Sequence, residues 1–418
     1  MTSPGANTPF VAIACGGTGG HLFPGLAVAE QLQKRGCAVA LLVSPKDVDQ
    51  EAVKSARGME IFTLPAVALQ NRNYLSFARS FWQSRRASQK IFQSRPPRAV
   101  LAMGGFTSAP PIWVGKDFGA KTFLHESNTI PGRANRFLAR FVDEAFVGFP
   151  SAAARLRARK VTTTGTPVRP QFQPGDPAPC RAAFRLESDR PTILVMGGSQ
   201  GSSSINDMIL SALPLLGNRT SAWQWLHLTG PGDVEKVEQA YAARGFKAVV
   251  KPFLAEMDLV LGAATIAVSR AGASSLAEIA AVRLPSLLVP YPTAADNHQF
   301  YNAQAFETTG AARVLEQKNA TPEKVAALLC ELIEGPAARV KIQAALAQWH
   351  APKAAEQIAE IMLEAVPGPE KRAPGIRTPQ RAPAAAPISP RSRRRHWAHD
   401  VDRLHFGTTD ENRGTNCR

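Results

Sequence analysis

One device is used twice in this chain. An apolar run, Phe10-Val-Ala-Ile-Ala-Cys15, leads into Gly16-Gly17-Thr18-Gly19-Gly20-His21, and a second, Thr192-Ile-Leu-Val-Met196, leads into Gly197-Gly198-Ser199-Gln200-Gly201. Each glycine turn is followed by a helical pattern. A strand that ends in glycines and opens a helix gathers bare backbone N–H groups and the positive end of a helix dipole at one spot, and that spot suits phosphate. A glycine turn can also be only a tight strand-to-helix connection. Two in matching places point to two α/β domains, each with a diphosphate-sized site, as an enzyme joining two phosphorylated substrates needs.

The chain between and beyond these turns alternates strand and helix. Strands are predicted at residues 10–15, 38–43, 99–103, 122–124 and 145–147, then at 192–196, 225–228, 248–250, 266–268, 286–289 and 312–315. Helices are predicted over 24–35, with Pro24 at the start and Gly36 as the stop, over 233–244 and 296–308, and from Thr321-Pro322 onward. Short apolar runs separated by helices indicate parallel sheets covered on both faces. Prolines 167, 170, 174, 177 and 179 crowd the middle and read as an interdomain linker. The expected division is an N-terminal domain over 8–164, a linker over 165–191, a second domain over 192–345, a helix over 346–366 crossing back to the first domain, and a Pro/Arg-rich disordered tail over 367–418.

Composition narrows the class. The 418 residues are 44% hydrophobic, enough for a core in each half. Of the net charge of +16, the tail supplies +6, from 11 Lys/Arg against 5 Asp/Glu. Basic charge alone does not choose among nucleic acid, anionic lipid and phosphorylated substrate. Five scattered cysteines without metal spacing read as reduced thiols of a cytosolic protein, with Cys15, Cys37 and Cys330 as small buried hydrophobes. The N-terminus has no basic region before an apolar stretch, and no run approaches the ~20 apolar residues of a membrane span, so neither secretion nor a transmembrane anchor is expected.

The dinucleotide fingerprint G-x-G-x-x-G fails at both turns, and neither has the Gly-Lys-Ser/Thr of a Walker loop, which argues against a dehydrogenase. His21 stands at a helix start, where the dipole disfavours imidazolium, so a neutral ring able to take a proton from a hydroxyl is expected. His125-Glu126-Ser127-Asn128 brings polar side chains to a strand's C-terminal edge, where open parallel sheets bind ligands. Ser269-Arg-Ala-Gly-Ala-Ser-Ser-Leu-Ala-Glu278 is a third strand–turn–helix, with Ser274 and Ser275 placed for phosphate and Glu278 for ribose hydroxyls.

Seven motifs occur in order: Gly16-Gly-Thr-Gly-Gly-His21, Gly104-Gly-Phe-Thr-Ser-Ala-Pro110, His125-Glu-Ser-Asn128, Gly165-Thr-Pro-Val-Arg169, Gly197-Gly-Ser-Gln-Gly201, Arg270-Ala-Gly-Ala-Ser-Ser-Leu-Ala-Glu278 and Asp296-Asn-His-Gln-Phe-Tyr-Asn-Ala303. Together, over roughly residues 8–365, the chain resembles the MurG family of N-acetylglucosaminyltransferases, which make lipid II for peptidoglycan. The resemblance implies a GT-B fold: two Rossmann-like doubly wound domains facing a cleft, the C-terminal one binding UDP-GlcNAc and the N-terminal one the lipid acceptor. It implies that Ser199 and the turn Ala273, Ser274, Ser275, Leu276, Ala277 hold the UDP diphosphate. It implies that Glu278 binds ribose, that Leu254 meets uracil through its backbone, and that Gln299 with Asn302 reads the GlcNAc hydroxyls. Thr18, Gly19, Gly20, Asn128 and Arg169 would complete the donor site from across the cleft. Departures are Phe106 where Tyr is frequent, Ser127 for Gln, Thr166 for Asn and His298 for Gln. The tail is outside the resemblance.

Residues 72–92 read as an amphipathic helix, with Tyr74, Phe77, Ala78 and Phe81 on one side and Arg79, Arg86 and Lys90 on another. With Leu75, Trp82 and Trp113 this is the composition of an interfacial helix, although packing on its own domain would use the same pattern. The combined expectation is an inverting, UDP-GlcNAc-dependent hexosyltransferase. It acts on undecaprenyl-linked lipid I, peripherally at the cytoplasmic face of the plasma membrane, in cell-wall synthesis. His21 or Glu126 is the base, and neither cofactor nor essential metal is expected: no Asp-x-Asp lies in a matched loop, Asp47-Val-Asp49 falling outside the motifs. A GT-B enzyme acting on another lipid such as diacylglycerol, and a non-catalytic binder of an anionic polymer, are the alternatives. The glycine turns argue against the second, and no nucleic-acid partner is expected.

Overall fold

The computed structural model describes residues 8–17, 19–46, 56, 58–66, 74–198, 201–219 and 221–366. The tail from residue 367, Asp47–Asp49, Thr18, Ser199 and the Tyr74 side chain lie outside the described residues.

The strands are β1 (Phe10–Ala14), β2 (Ala38–Val43), β3 (Glu60–Thr63), β4 (Ala99–Ala102), β5 (Lys121–Glu126), β6 (Glu144–Val147), β7 (Val161–Thr163), β8 (Thr192–Met196), β9 (Gln224–Leu228), β10 (Lys247–Lys251), β11 (Ile266–Ser269), β12 (Ser286–Leu288) and β13 (Arg313–Val314). The α-helices are α1 (Gly19–Lys34), α2 (Tyr74–Ser94), α3 (Ala109–Asp117), α4 (Arg133–Leu138), α5 (Pro150–Ala153), α6 (Pro177–Ala183), α7 (Ser203–Ala212), α8 (Val234–Ala242), α9 (Met257–Ala263), α10 (Ala273–Val282), α11 (His298–Thr308), α12 (Pro322–Glu334), α13 (Pro336–Ala347) and α14 (Ala354–Glu364).

Among the described residues the strands form two fully parallel sheets, ordered β3-β2-β1-β4-β5-β6-β7 and β10-β9-β8-β11-β12-β13. Both are doubly wound. The order reverses between β1 and β4 in the first and between β8 and β11 in the second, and such reversals open a crevice beyond the strands' C-terminal ends. The central strands are buried on both faces, as their unbroken apolar runs require: β1, β4 and β8 have no half-exposed position. Each fully buried Ile or Leu in them contributes about 1.5–3 kcal/mol.

The helix after β1 begins at Gly19, so Pro24 sits inside it rather than at its first position. The 165–191 segment is also more than a connection. It carries α6, whose cap Asp176 accepts from the Ala178 N–H at 3.0 Å, and it packs Phe172 and Leu186 into the second domain's core. Arg181 is buried there, donating to the Ala263 carbonyl and the Thr265 hydroxyl, both at 3.0 Å. Thr321 caps α12 by accepting from the Lys324 N–H. The chain then passes through α13 to α14, which lays Ala355, Ile358, Ala359 and Met362 into the first domain's core. Arg35, in the turn that follows α1, bridges Glu356 and Glu360 of that helix at 3.1 and 2.9 Å. Cys15 and Cys37 are buried, whereas Cys330 is only half-buried.

Candidate active site

At the first switch point the backbone is fixed by glycine. A Cβ on Gly16 would lie 2.3 Å from the Ser44 amide nitrogen, and Gly17 holds φ +115° against the Phe106 ring. Phe106 is therefore a wall of this turn. Lys46 lies across the same ring, its Nζ 5.4 Å from the centroid, and donates to the Gly17 carbonyl at 3.0 Å. Nothing in the sequence around Lys46 marked it.

Proline inside α1 has a local consequence. Pro24 has no N–H to give the carbonyl four residues back, that of Gly20. That carbonyl instead accepts from Ser274 Oγ of α10 at 2.9 Å, joining the two domains one residue from His21.

The His21 ring lies on the turn after β4. A Cβ on Gly104 would be 3.0 Å from its Nε2 and one on Gly105 3.2 Å from its Nδ1, and both glycines have positive φ, +108° and +79°. Gly104→Ala is thus expected to displace the ring and lower kcat about tenfold to a hundredfold with the fold retained. Unchanged turnover in a well-folded variant would show that this seat does not govern the reaction.

Glu126, the other candidate base, is buried with both oxygens occupied. Oε1 accepts from the Asn128 backbone N–H at 2.8 Å and its Nδ2 at 3.0 Å, and Oε2 accepts from the Gly132 N–H at 2.9 Å and Asn135 Nδ2 at 2.8 Å. A carboxylate has about four acceptor positions, and these four donors fill them. Glu126 holds the loop from Ser127 to α4 in shape. His125 is fully enclosed, and burial pulls its pKa down to about 4, which keeps it neutral. Its Nε2–H donates to the Gly165 carbonyl at 3.1 Å, so Nδ1 accepts from the Ser127 hydroxyl at 3.3 Å.

Facing this loop, Asn302 of α11 is buried and fully used. Its Oδ1 accepts from the N–H and Oγ1 of Thr129, both at 2.9 Å, while Nδ2 donates to Asn128 Oδ1 at 3.0 Å and the Ala271 carbonyl at 3.1 Å. It clasps the domains together in this state, with no donor or acceptor left for a sugar. Gln299 is better placed: only its Oε1 is held, by the N–H groups of Tyr291 at 3.0 Å and Ala271 at 3.3 Å. The start of α11 is strained, since Asp296 and Asn297 are both left-handed, φ +49° and +53°. Asp and Asn tolerate that region best, and Asp296 is also pinned by Arg136 and Arg133 of α4 at 2.6 and 3.4 Å.

At the second switch point Ala273 and Leu276 are buried in the core while Ser274, Ser275 and Ala277 are half-exposed at the mouth of α10. Glu278 follows on the same helix, and burial pushes its carboxyl up to about 7, opposed by the Arg169 cation and reinforced by Asp258. Arg169 lies between the rings of Phe23 and Phe172, 4.8 and 5.2 Å from their centroids, with its Nε buried and unpartnered. Leu254, in the loop after β10, packs half-buried on the second core. Gly19 and Gly20 open α1 on the facing side.

Away from the cleft, α2 buries a stripe of Ser80, Ser84, Ser88 and Phe92 rather than its aromatic side. Phe77 and Phe81 are half-buried, Ala78, Arg79, Arg86 and Lys90 are exposed, and Leu75 and Trp82 are 86% and 57% exposed. Edge-on contacts carry the aromatic surface onward: Phe81 to Trp113 at 5.3 Å, and Trp113 to Phe137 and Phe141 at 6.0 and 6.3 Å. Phe137 and Phe141 went unmarked in the sequence because they belong to a different helix and its following turn.

Comparisons with known proteins agree with this geometry. The glycosyltransferase family 28 N-terminal domain matches residues 11–147 and the family 28 C-terminal domain matches residues 192–358. The UDP-N-acetylglucosamine--N-acetylmuramyl-(pentapeptide) pyrophosphoryl-undecaprenol N-acetylglucosamine transferase of Anaeromyxobacter sp. (strain Fw109-5) is 35% identical over 383 residues, 90% of this chain and 98% of the relative. The protein of the same name from Myxococcus xanthus (strain DK1622) is 32% identical over 91% of this chain and 99% of the relative. Acinetobacter baumannii MurG shares the fold, with a TM-score of 0.66 at 24% identity over 85% of this chain and 99% of that one. A UDP-N-acetylglucosamine 2-epimerase superposes almost as well, at 0.64 and 13% identity over 85% of this chain and 96% of that one, so the architecture alone does not choose the reaction. The two family 28 domains, the GT-B arrangement of paired doubly wound sheets and relatives matched along nearly their whole length establish that the chain belongs to the MurG family.

Proposed function

We propose that this protein is an inverting glycosyltransferase that moves GlcNAc from UDP-GlcNAc to the 4-hydroxyl of the MurNAc unit of lipid I, forming lipid II. One observation carries the reading. The Ser274–Gly20 hydrogen bond brings the N-terminal end of α10, a diphosphate cradle, against the turn that bears His21. In this reading a base and a leaving-group site lie on the two sides of that hydrogen bond.

In the reaction His21 takes the proton of the acceptor hydroxyl as that oxygen attacks the GlcNAc C1 from the face opposite UDP. The C1–O bond to the diphosphate breaks, configuration inverts, and the electron pair leaves with UDP. Backbone N–H groups at α10, with Ser274 and Ser275, stabilise the charge that develops on the diphosphate. Ser199 and Ala273–Ala277 hold that diphosphate, Glu278 the ribose, Leu254 the uracil edge, and Gln299 the sugar hydroxyls. Thr18, Gly19, Gly20, Asn128 and Arg169 close the donor site. On the acceptor side Lys46, held against the Gly17 carbonyl and the Phe106 ring, supplies a cation for the lipid diphosphate.

The test is transfer of labelled GlcNAc from UDP-GlcNAc to a short-chain lipid I analogue with EDTA present. Product is expected, because the charge on the leaving group is met by fixed dipoles. No transfer, with UDP-GlcNAc still bound, would move the acceptor to another lipid.

The same reading places the chain peripherally at the cytoplasmic face of the plasma membrane. No helix among the described residues is long and apolar enough to cross a membrane. The exposed Leu75 and Trp82, rimmed by Arg79 and Arg86, favour insertion into an anionic surface, where each basic side chain adds about 1 kcal/mol. Leu75→Ser with Trp82→Ser is expected to weaken binding to phosphatidylglycerol vesicles by about tenfold or more, with turnover of a soluble acceptor retained. Equal vesicle binding would remove this surface from the membrane contact.

A further inference from the structure

Arg270 follows β11 and is only 6% exposed. Its guanidinium reaches the loops after three other strands. It donates to Ser202 and Ser204 Oγ after β8, at 2.8 and 2.7 Å, to the Val289 and Pro290 carbonyls after β12, at 3.1 and 3.2 Å, and to Gln317 Oε1 after β13, at 3.1 Å. Every one of these acceptors is neutral, and among the described residues no carboxylate pairs with it. Burial pulls its pKa below the ordinary arginine value. A guanidinium nevertheless stays protonated, so the fold keeps a buried positive charge without a counter-charge, an arrangement that is costly unless something negative arrives.

The hydroxyl network shows where that charge is directed. Ser204 Oγ gives its own proton to Gln317 Oε1 at 3.1 Å. Ser202, the residue before α7, accepts from Arg270 and lies 3.2 Å from Ser204 Oγ, so its proton is the one free to turn toward an incoming oxygen. The loop after β12 that Arg270 anchors is also the loop whose Tyr291 N–H holds Gln299.

We propose that Arg270 is a positioning residue of the donor site: a fixed cation beneath the second glycine turn that orients the Ser202 hydroxyl toward a nucleoside diphosphate and whose charge that diphosphate completes. The proposal rests on the donor reading above. It is tested on the full chain by calorimetric titration with UDP and with uridine, which lacks the diphosphate. Arg270→Met is expected to weaken UDP by about tenfold or more, leave uridine within about twofold and flatten the salt dependence of UDP binding. Arg270→Lys, which restores charge without the planar fork, is expected to recover part of the UDP loss. UDP bound as tightly by both variants as by the unaltered chain, or UDP and uridine weakened alike, would overturn the proposal. Should the methionine variant not fold, the lysine variant carries the comparison: selective loss of UDP supports it, and equal loss overturns it. Failure of the unaltered chain to bind UDP would overturn the donor reading itself, and this inference with it.

Discussion

His21→Ala is expected to lower kcat by ~10²–10⁴, the range that a positioned general base contributes. The glycines at 104 and 105 are the structural reason for expecting the whole effect from this one side chain, because the ring lies where any Cβ at those positions would crowd it. Donor KM should move little, since the ring takes no part in holding UDP. The limb of the pH–rate profile that reports the base should vanish with it. Glu126→Gln is the control. Exchanging one carboxylate oxygen for an amide sets an N–H₂ against two of the four donors that now converge on it, so the loop before α4 should loosen and the melting temperature fall. The pH limb should persist in that variant at reduced amplitude. A loss under about tenfold in a folded His21→Ala enzyme, or disappearance of the limb in Glu126→Gln instead, would transfer the base role to Glu126.

The cleft was legible in the sequence because both switch points are marked by glycines that only backbone geometry demands, and because β1, β4, β8 and β11 are continuous apolar runs. The edges were not. β3 exposes most of Glu60–Thr63, and β7 is three residues long with none fully buried, so neither carries the apolar signal of an interior strand. Pro24 misled through a sound local rule: proline favours a helix start, but here the free Gly20 carbonyl is satisfied by Ser274 from the other domain, a partner 254 positions away. Asn302 and Glu126 sit within recognisable motifs, yet a motif does not reveal whether a side chain's hydrogen bonds are already taken. Arg270 was visible as a letter in a motif; that its charge lacks a counter-ion depends on loops from four strands meeting around it. The stripe of Ser80, Ser84 and Ser88 by which α2 packs on its domain went unmarked, because small polar residues scarcely register as a packing face.

Glu278→Gln should separate donor binding from stability. In the unliganded protein burial pushes the Glu278 carboxyl up to about 7, so near neutral pH it is part protonated, whereas the unfolded chain has already lost that proton from an ordinary value of 4.5. A native state that binds more protons than the unfolded one loses stability as pH rises, here between those two values, and carries the full cost above pH 7. Glutamine removes the cost. The unliganded variant should melt higher than the parent near pH 8 and about equally near pH 5. Donor binding runs the other way. The ionised carboxylate accepts hydrogen bonds from ribose hydroxyls, so the parent's KM for UDP-GlcNAc should fall as pH rises through about 7. In Glu278→Gln KM should be raised about tenfold to a hundredfold near pH 8, the worth of one or two hydrogen bonds to a charged group, and its pH dependence should be lost. An unchanged KM would refute the ribose assignment. Arg169→Met supplies the internal check. Arg169 is the cation that opposes burial at Glu278, so removing it should shift the break in the KM profile to higher pH. A profile that keeps its break near 7 in that variant would mean that another group controls it.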